Sequence, residues 1–277
     1  MRCEVCFRHC DIREGGTGFC GAREVRGGNV VAANYGRITS LALDPIEKKP
    51  LRNFNPGTKI LSAGSYGCNL RCPFCQNNEI SWGEEVMLFA HGEGRELTPE
   101  ELVSIAEEYK ERGNIGIAFT YNEPLVGYEF VRDTARLAHG KGLKTVVVTN
   151  GTAELSVLRE IAPYIDAMNI DLKCFDPDVY KDTLGGDLDM TMAFIREAAK
   201  TAHVEITCLI VPGMNDDVKK MKDMAGWIAS ISEDIPLHVT RFHPCFHMTD
   251  RPATPADTIC ELADAAAKIL RYVYFPS

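Results

Sequence analysis

Cys68-Asn69-Leu70-Arg71-Cys72-Pro73-Phe74-Cys75 sets three thiols in a C-x3-C-x2-C run on one short stretch. Three thiolates so close can hold three irons of a cubane iron–sulfur cluster and leave the fourth iron without a protein ligand. An open iron can bind a substrate or cofactor directly, whereas an electron carrier closes its cluster with a fourth cysteine. A structural zinc usually takes paired ligands, C-x2-C with a second pair further on, and is the weaker reading. Disulfides are not expected, because nothing at the N-terminus reads as a signal peptide and thiols of a cytoplasmic protein stay reduced.

Outward from this run the pattern is regular. Short apolar stretches at 59–63, 115–120, 145–149, 168–172, 204–211 and 237–242 read as strands, and amphipathic segments lie between them. Thr98-Pro99-Glu100-Glu101 supplies a Thr N-cap, Pro at the first helical position and Glu at the third; the same start recurs at Thr254-Pro255. Six strands alternating with helices imply parallel pairing by crossovers, so the chain is expected to form an α/β fold, a partial (β/α)6 TIM-like barrel. Working residues of such barrels gather at the C-terminal ends of the strands.

Residues 1–58 differ. They are rich in Cys, Gly and Arg with little helical periodicity, and read as a small module plus a connecting segment ahead of a barrel spanning 59–277. Seven of the eleven cysteines fall in the first 75 residues, an asymmetry that points to metal. Cys3, Cys6, Cys10 and Cys20 are enough for a complete tetrahedral site, either zinc or a closed auxiliary iron–sulfur cluster, and a module with so few core residues needs such a staple. With 45% hydrophobic and 25% charged residues and no membrane-length apolar run, the composition is that of a soluble globular protein. A net charge of −9 argues against broad binding to nucleic acid or anionic lipid, leaving small molecules or proteins as partners.

The cysteine run resembles that of the radical S-adenosylmethionine (radical SAM) superfamily, in which the cofactor's amino and carboxylate groups chelate the open iron. Over nearly its full length the chain resembles one branch, the AmmeMemoRadiSam-system enzymes, relatives of the pyruvate formate-lyase activating enzyme. The match rests on the N-terminal cysteines with Gly18-Phe19-Cys20-Gly21-Ala22-Arg23, on Asp44-Pro45-Ile46-Glu47-Lys48-Lys49-Pro50-Leu51, and on Gly67 through Asn77. Longer members continue into a cysteine-bearing tail, whereas this sequence stops at Ser277 soon after its last helix, which leaves any function attached to that tail open.

The resemblance implies site residues at successive strand ends. Cys68, Cys72 and Cys75 would hold the [4Fe–4S] cluster, with Phe74 packed on adenine. Asn122 and Glu123, in Thr120-Tyr121-Asn122-Glu123-Pro124, stand where the superfamily receives the cofactor's ammonium group, and Asn150 where an amide reaches the ribose. Asp171-Leu172-Lys173 looks like the activating enzymes of glycyl radical proteins, in which the lysine meets the cofactor carboxylate; its alternative is an ion pair that plugs the barrel. His203 and His243 complete the expected cofactor set. The implied activity is reductive cleavage of S-adenosylmethionine to a 5′-deoxyadenosyl radical that abstracts a hydrogen atom. Electrons would come from a donor such as flavodoxin or ferredoxin, and the target would be a glycyl radical protein. A small molecule or another macromolecule is the second reading, and a non-catalytic electron carrier the third. Polar residues on four strand ends argue against the last, since a relay needs no cofactor-sized polar cavity.

Overall fold

The structure, a computed structural model, describes residues 1–82, 86 and 95–275. The chain begins with a hairpin of β1 (Arg23–Arg26) and β2 (Asn29–Ala32), then the short β3 (Arg37–Ile38), β4 (Ser40–Pro45) and β5 (Lys59–Gly64). Next come α1 (Asn78–Trp82) and β6 (Arg95–Glu96), which pairs with β3. Strands and helices then alternate: α2 (Pro99–Glu108), β7 (Asn114–Thr120), α3 (Tyr128–Gly140), β8 (Lys144–Thr149), α4 (Leu155–Ile161) and β9 (Ala167–Asp171). Two helices, α5 (Pro177–Asp182) and α6 (Leu188–Ala198), precede β10 (His203–Ile210), followed by α7 (Val218–Ala229), β11 (Leu237–Arg241), α8 (Ala256–Ala267) and β12 (Val273–Tyr274).

Eight strands form one sheet in the order β12-β11-β10-β9-β8-β7-β5-β4. Its centre is the six-stranded parallel array expected from the apolar runs, in chain order, each pair separated by helix. Two edges were not legible in the sequence. The two-residue β12 extends the parallel array beside β11, and β4 lies antiparallel on β5. Part of the first 58 residues is thereby built into the main sheet.

Side-chain alternation divides the sheet's two faces. Leu61, Ile117, Val147, Met168 and Ile206 join the large core that includes the buried faces of the helices. On the other face Ile60, Ala118, Val146 and Ala167 pack against Ile46 and Leu51, so the connection after β4 fills the space beneath the barrel. That connection is fastened by buried polar groups. Glu205 accepts the backbone N–H of Arg52 at 2.9 Å and of Asn53 at 2.7 Å, and Asn169 donates to the Pro50 carbonyl at 2.9 Å.

The start of α2 follows its sequence signature: Glu101 N–H donates to Thr98 Oγ1 at 3.2 Å while Thr98 N–H donates to the Glu101 carboxylate at 2.8 Å. The second such signature has a different outcome. Pro255 occupies the N-cap position of α8 with no side-chain cap, because the Thr254 hydroxyl is spent inside the barrel. It accepts from Phe242 N–H at 3.1 Å and donates to the Ile210 carbonyl at 2.5 Å, tying the ends of β10 and β11 together.

Candidate active site

The loops at the C-terminal ends of β5, β7, β8 and β9 enclose a cavity of about 330 Å3, within the size range of small-molecule sites. Cys68, Cys72 and Cys75 line it, with Phe74, Asn122, Glu123, Asn150, Asp171 and Lys173. Nine residues expected from sequence are therefore brought together. Cys72 is buried, and Cys68 and Cys75 partly so. Burial holds the Cys68 thiol well above its ordinary pKa and pushes Cys72 up to about 11. Both thiols thus keep their protons near neutrality until a metal displaces them. Among the described residues no three His, Cys, Asp or Glu side chains converge on a single ion. A cubane makes no such demand, since each thiolate binds a different iron. Three thiols at one end of a polar cavity fit a cluster that shares its open iron with a bound molecule.

Several expected cofactor contacts are turned inward. Glu123 is buried, and its carboxylate accepts from Thr149 Oγ1 at 2.7 Å, Asn150 N–H at 2.7 Å and Leu125 N–H at 3.0 Å. Burial raises its carboxyl to about 7 despite these donors. Asn150 donates to Asn69 Oδ1 at 2.8 Å and accepts from Thr152 N–H at 3.0 Å, while its Nδ2 lies 3.8 Å from Cys68 Sγ. Asn122 accepts from Ser65 N–H and donates to the Gly67 carbonyl, both at 3.1 Å. These three side chains brace the cysteine loop against the neighbouring strand ends.

Asp171 and Lys173 form a charged pair facing the cavity, with Lys173 Nζ donating to Asp171 Oδ2 at 2.9 Å. Burial alone would lower the Lys173 ammonium, but the Asp171 carboxylate and the nearby Cys72 outweigh it and hold the group above its ordinary range. Lys173 therefore stays cationic. Phe74 is buried and meets Phe242 edge-on at 6.5 Å between ring centres.

Two expectations are corrected. His203 stands at the N-terminal start of β10, where its Nε2 lies 2.9 Å from Glu205 Oε1, at the opposite end of the strand from the cavity. A residue that opens a parallel strand belongs to the barrel floor. His243 follows β11 but is exposed and does not line the cavity. Of the remaining cysteines, Cys174 and Cys208 are buried and Cys260 is exposed on α8.

Other cavity residues escaped sequence reading. Val148, Thr207, Leu209 and Thr240 line it from within strands, at alternate positions that period-two alternation marks as one face. Tyr121 has φ of 76°, donates through its hydroxyl to Asp44 Oδ2 at 2.7 Å, and lies 4.4 Å from Lys49 Nζ. Lys49 is itself buried on Asp44 at 2.9 Å. Asp44 lies on β4, so the motif that looked like a connection contributes to the cavity wall.

A three-cysteine loop at the mouth of a partial parallel barrel, opening on a cavity of cofactor size, defines a cluster-dependent radical enzyme. Residues 63–225 match the profile of the radical SAM superfamily, and the chain belongs to that superfamily. It is similar to an uncharacterized protein of Methanocaldococcus jannaschii, 41% identical over 99% of this chain and 80% of that protein. It is also similar to pyruvate formate-lyase 1-activating enzyme of Escherichia coli, 30% identical over 58% of this chain and 65% of that enzyme. Among solved structures, a domain of pyruvate formate-lyase-activating enzyme from Bacteroides vulgatus shares the fold, with a TM-score of 0.52 at 20% identity, covering 58% of this chain and 99% of that one. Membership implies a [4Fe–4S] cluster and S-adenosylmethionine.

Proposed function

We propose that this chain activates a glycyl radical protein, with Cys68, Cys72 and Cys75 holding the cluster. Together, the reduced cluster and S-adenosylmethionine supply a 5′-deoxyadenosyl radical able to take a hydrogen atom from a backbone glycine. The chain's own residues hold and orient. Lys173 offers a partly buried ammonium to the cofactor carboxylate, and Asp171 fixes that ammonium in place. Phe74, Val148 and Leu209 give apolar surface for adenine, with Thr207 and Thr240 beside them. Glu123, Asn122 and Asn150 keep the cysteine loop in register with β7 and β8.

The observation that carries the proposal is the Asp171–Lys173 pair at the end of β9, pointing into the same cavity as the three cysteines. Similarity to pyruvate formate-lyase activating enzymes supports it. Anaerobic incubation with a candidate glycyl radical protein, reductant and S-adenosylmethionine should give a glycine-centred doublet by electron paramagnetic resonance. Formation of 5′-deoxyadenosine carrying deuterium from a labelled small molecule, with no doublet across candidates, would contradict it in favour of small-molecule chemistry.

A further inference from the structure

Two sets of cysteines meet at the barrel mouth. Cys3, Cys6, Cys10 and Cys20 ring one small enclosed cavity, shared with Arg8, Arg23 and Asn69. The module that carries them is docked on the main site. Cys6 forms a β-bridge with Ala153 just after β8, and Glu154 N–H donates to the Val5 carbonyl at 2.9 Å. Arg8 donates to the carbonyls of Asn69 and Gly185, both at 2.6 Å.

The two sets touch through the backbone of their own members: Cys68 N–H donates to the Cys20 carbonyl at 3.3 Å. Gly67 permits this approach. Its φ is 95°, and a Cβ there would stand 2.8 Å from the Cys20 oxygen and 2.7 Å from Ala22 Cβ. A second connection runs through side chains. Asn69, in the wall of the N-terminal cavity, accepts from Asn150 Nδ2, the same nitrogen that lies 3.8 Å from Cys68 Sγ.

We infer that Cys3, Cys6, Cys10 and Cys20 hold a second iron–sulfur cluster, which passes electrons to the cluster on Cys68, Cys72 and Cys75. The inference rests on the assignment of those three residues. Four thiolates close a cluster to ligands and leave it one-electron chemistry, whereas zinc has no redox chemistry. The four thiols are spread around a cavity, as separate irons require. The contact between Cys20 and Cys68 makes a continuous route of covalent bonds and one hydrogen bond from sulfur to sulfur. The step balances without proton or bond transfer: a reduced low-potential carrier of the flavodoxin or ferredoxin class loses one electron, and the two clusters take it in turn.

The test compares the full chain, reconstituted anaerobically with iron and sulfide, with Cys68→Ala/Cys72→Ala/Cys75→Ala and with Cys3→Ala/Cys6→Ala. Iron, sulfide and zinc per chain are measured, and the reduced samples are examined by electron paramagnetic resonance. The expected result is about eight irons in the full chain, about four in the triple variant, and no zinc. The reduced full chain should also show a spectrum broadened beyond the sum of the two partial variants, because neighbouring paramagnets couple. Should Cys3→Ala/Cys6→Ala fail to fold, the triple variant still decides. Zinc without iron in the triple variant would overturn the inference, while iron lost with the triple substitution would still uphold the main cluster. A full chain holding only about four irons, all of them kept by the triple variant, would overturn the assignment of Cys68, Cys72 and Cys75 instead. Additive spectra at about eight irons would overturn the relay.

Discussion

Gly67 and Lys173 show how much rests on single side chains. At Gly67 the backbone is left-handed and the space for a Cβ is already occupied by Ala22 and the Cys20 carbonyl. Gly67→Ala should therefore destabilise the fold by roughly 1–3 kcal/mol, read as a lower urea midpoint. A midpoint unchanged from the native chain would show that the N-terminal module is not pressed against the cysteine loop. Lys173 is a partly buried cation of the cavity, paired with Asp171. Lys173→Met removes the charge proposed to meet the cofactor carboxylate and leaves Asp171 without its partner. Equilibrium dialysis of reconstituted protein should show S-adenosylmethionine binding weakened by about tenfold or more, about 1.4 kcal/mol or above. Unaltered affinity would reduce the pair to a plug for the barrel.

At the scale of elements, the floor of the barrel depends on Glu205. Burial would raise its carboxyl, but hydrogen bonds from His203 and His238 and from the backbone of Arg52 and Asn53 outweigh it and hold it at about 2. The folded carboxylate thus binds a proton more weakly than the unfolded one, so its contribution is complete above the ordinary glutamate range. That contribution is lost as pH falls toward 2, by at most about 3 kcal/mol. Urea midpoints at about pH 5 and about pH 3 should fall steeply for the native chain and less for Glu205→Gln. Parallel falls would refute this role for the segment after β4. The α2 cap is a smaller effect: Thr98→Ala should cost about 1 kcal/mol in the same assay, and no loss would mean the capping box contributes nothing.

These elements also show what the sequence can and cannot convey. Apolar runs announce strands because each buries its side chains between sheet and helix, and a local box such as Thr98 to Glu101 is complete within four residues. Thr254 carries the same local signal, yet its hydroxyl bonds Ile210 and Phe242, partners that only the fold brings near. Strand β4 was missed for a related reason, since an antiparallel edge is defined by what it pairs with.

Across the whole molecule, the site was legible where chemistry fixes residue type and spacing, as in the cysteines and the Asp171–Lys173 pair. It was less so where residues work by position alone. Thr207, Leu209 and Thr240 look like ordinary strand residues until the barrel turns them toward the cavity. Glu123 and Asn150 line the cavity as expected, and what the sequence does not convey is that they also bond to one another and to the cysteine loop. The claim on which the rest depends is that Cys68, Cys72 and Cys75 act together to make S-adenosylmethionine reactive. It is tested by following 5′-deoxyadenosine under strictly anaerobic, reducing conditions with the reconstituted chain and its Cys72→Ala variant. The native chain should form the nucleoside and the variant none above background; robust formation by Cys72→Ala would contradict the account.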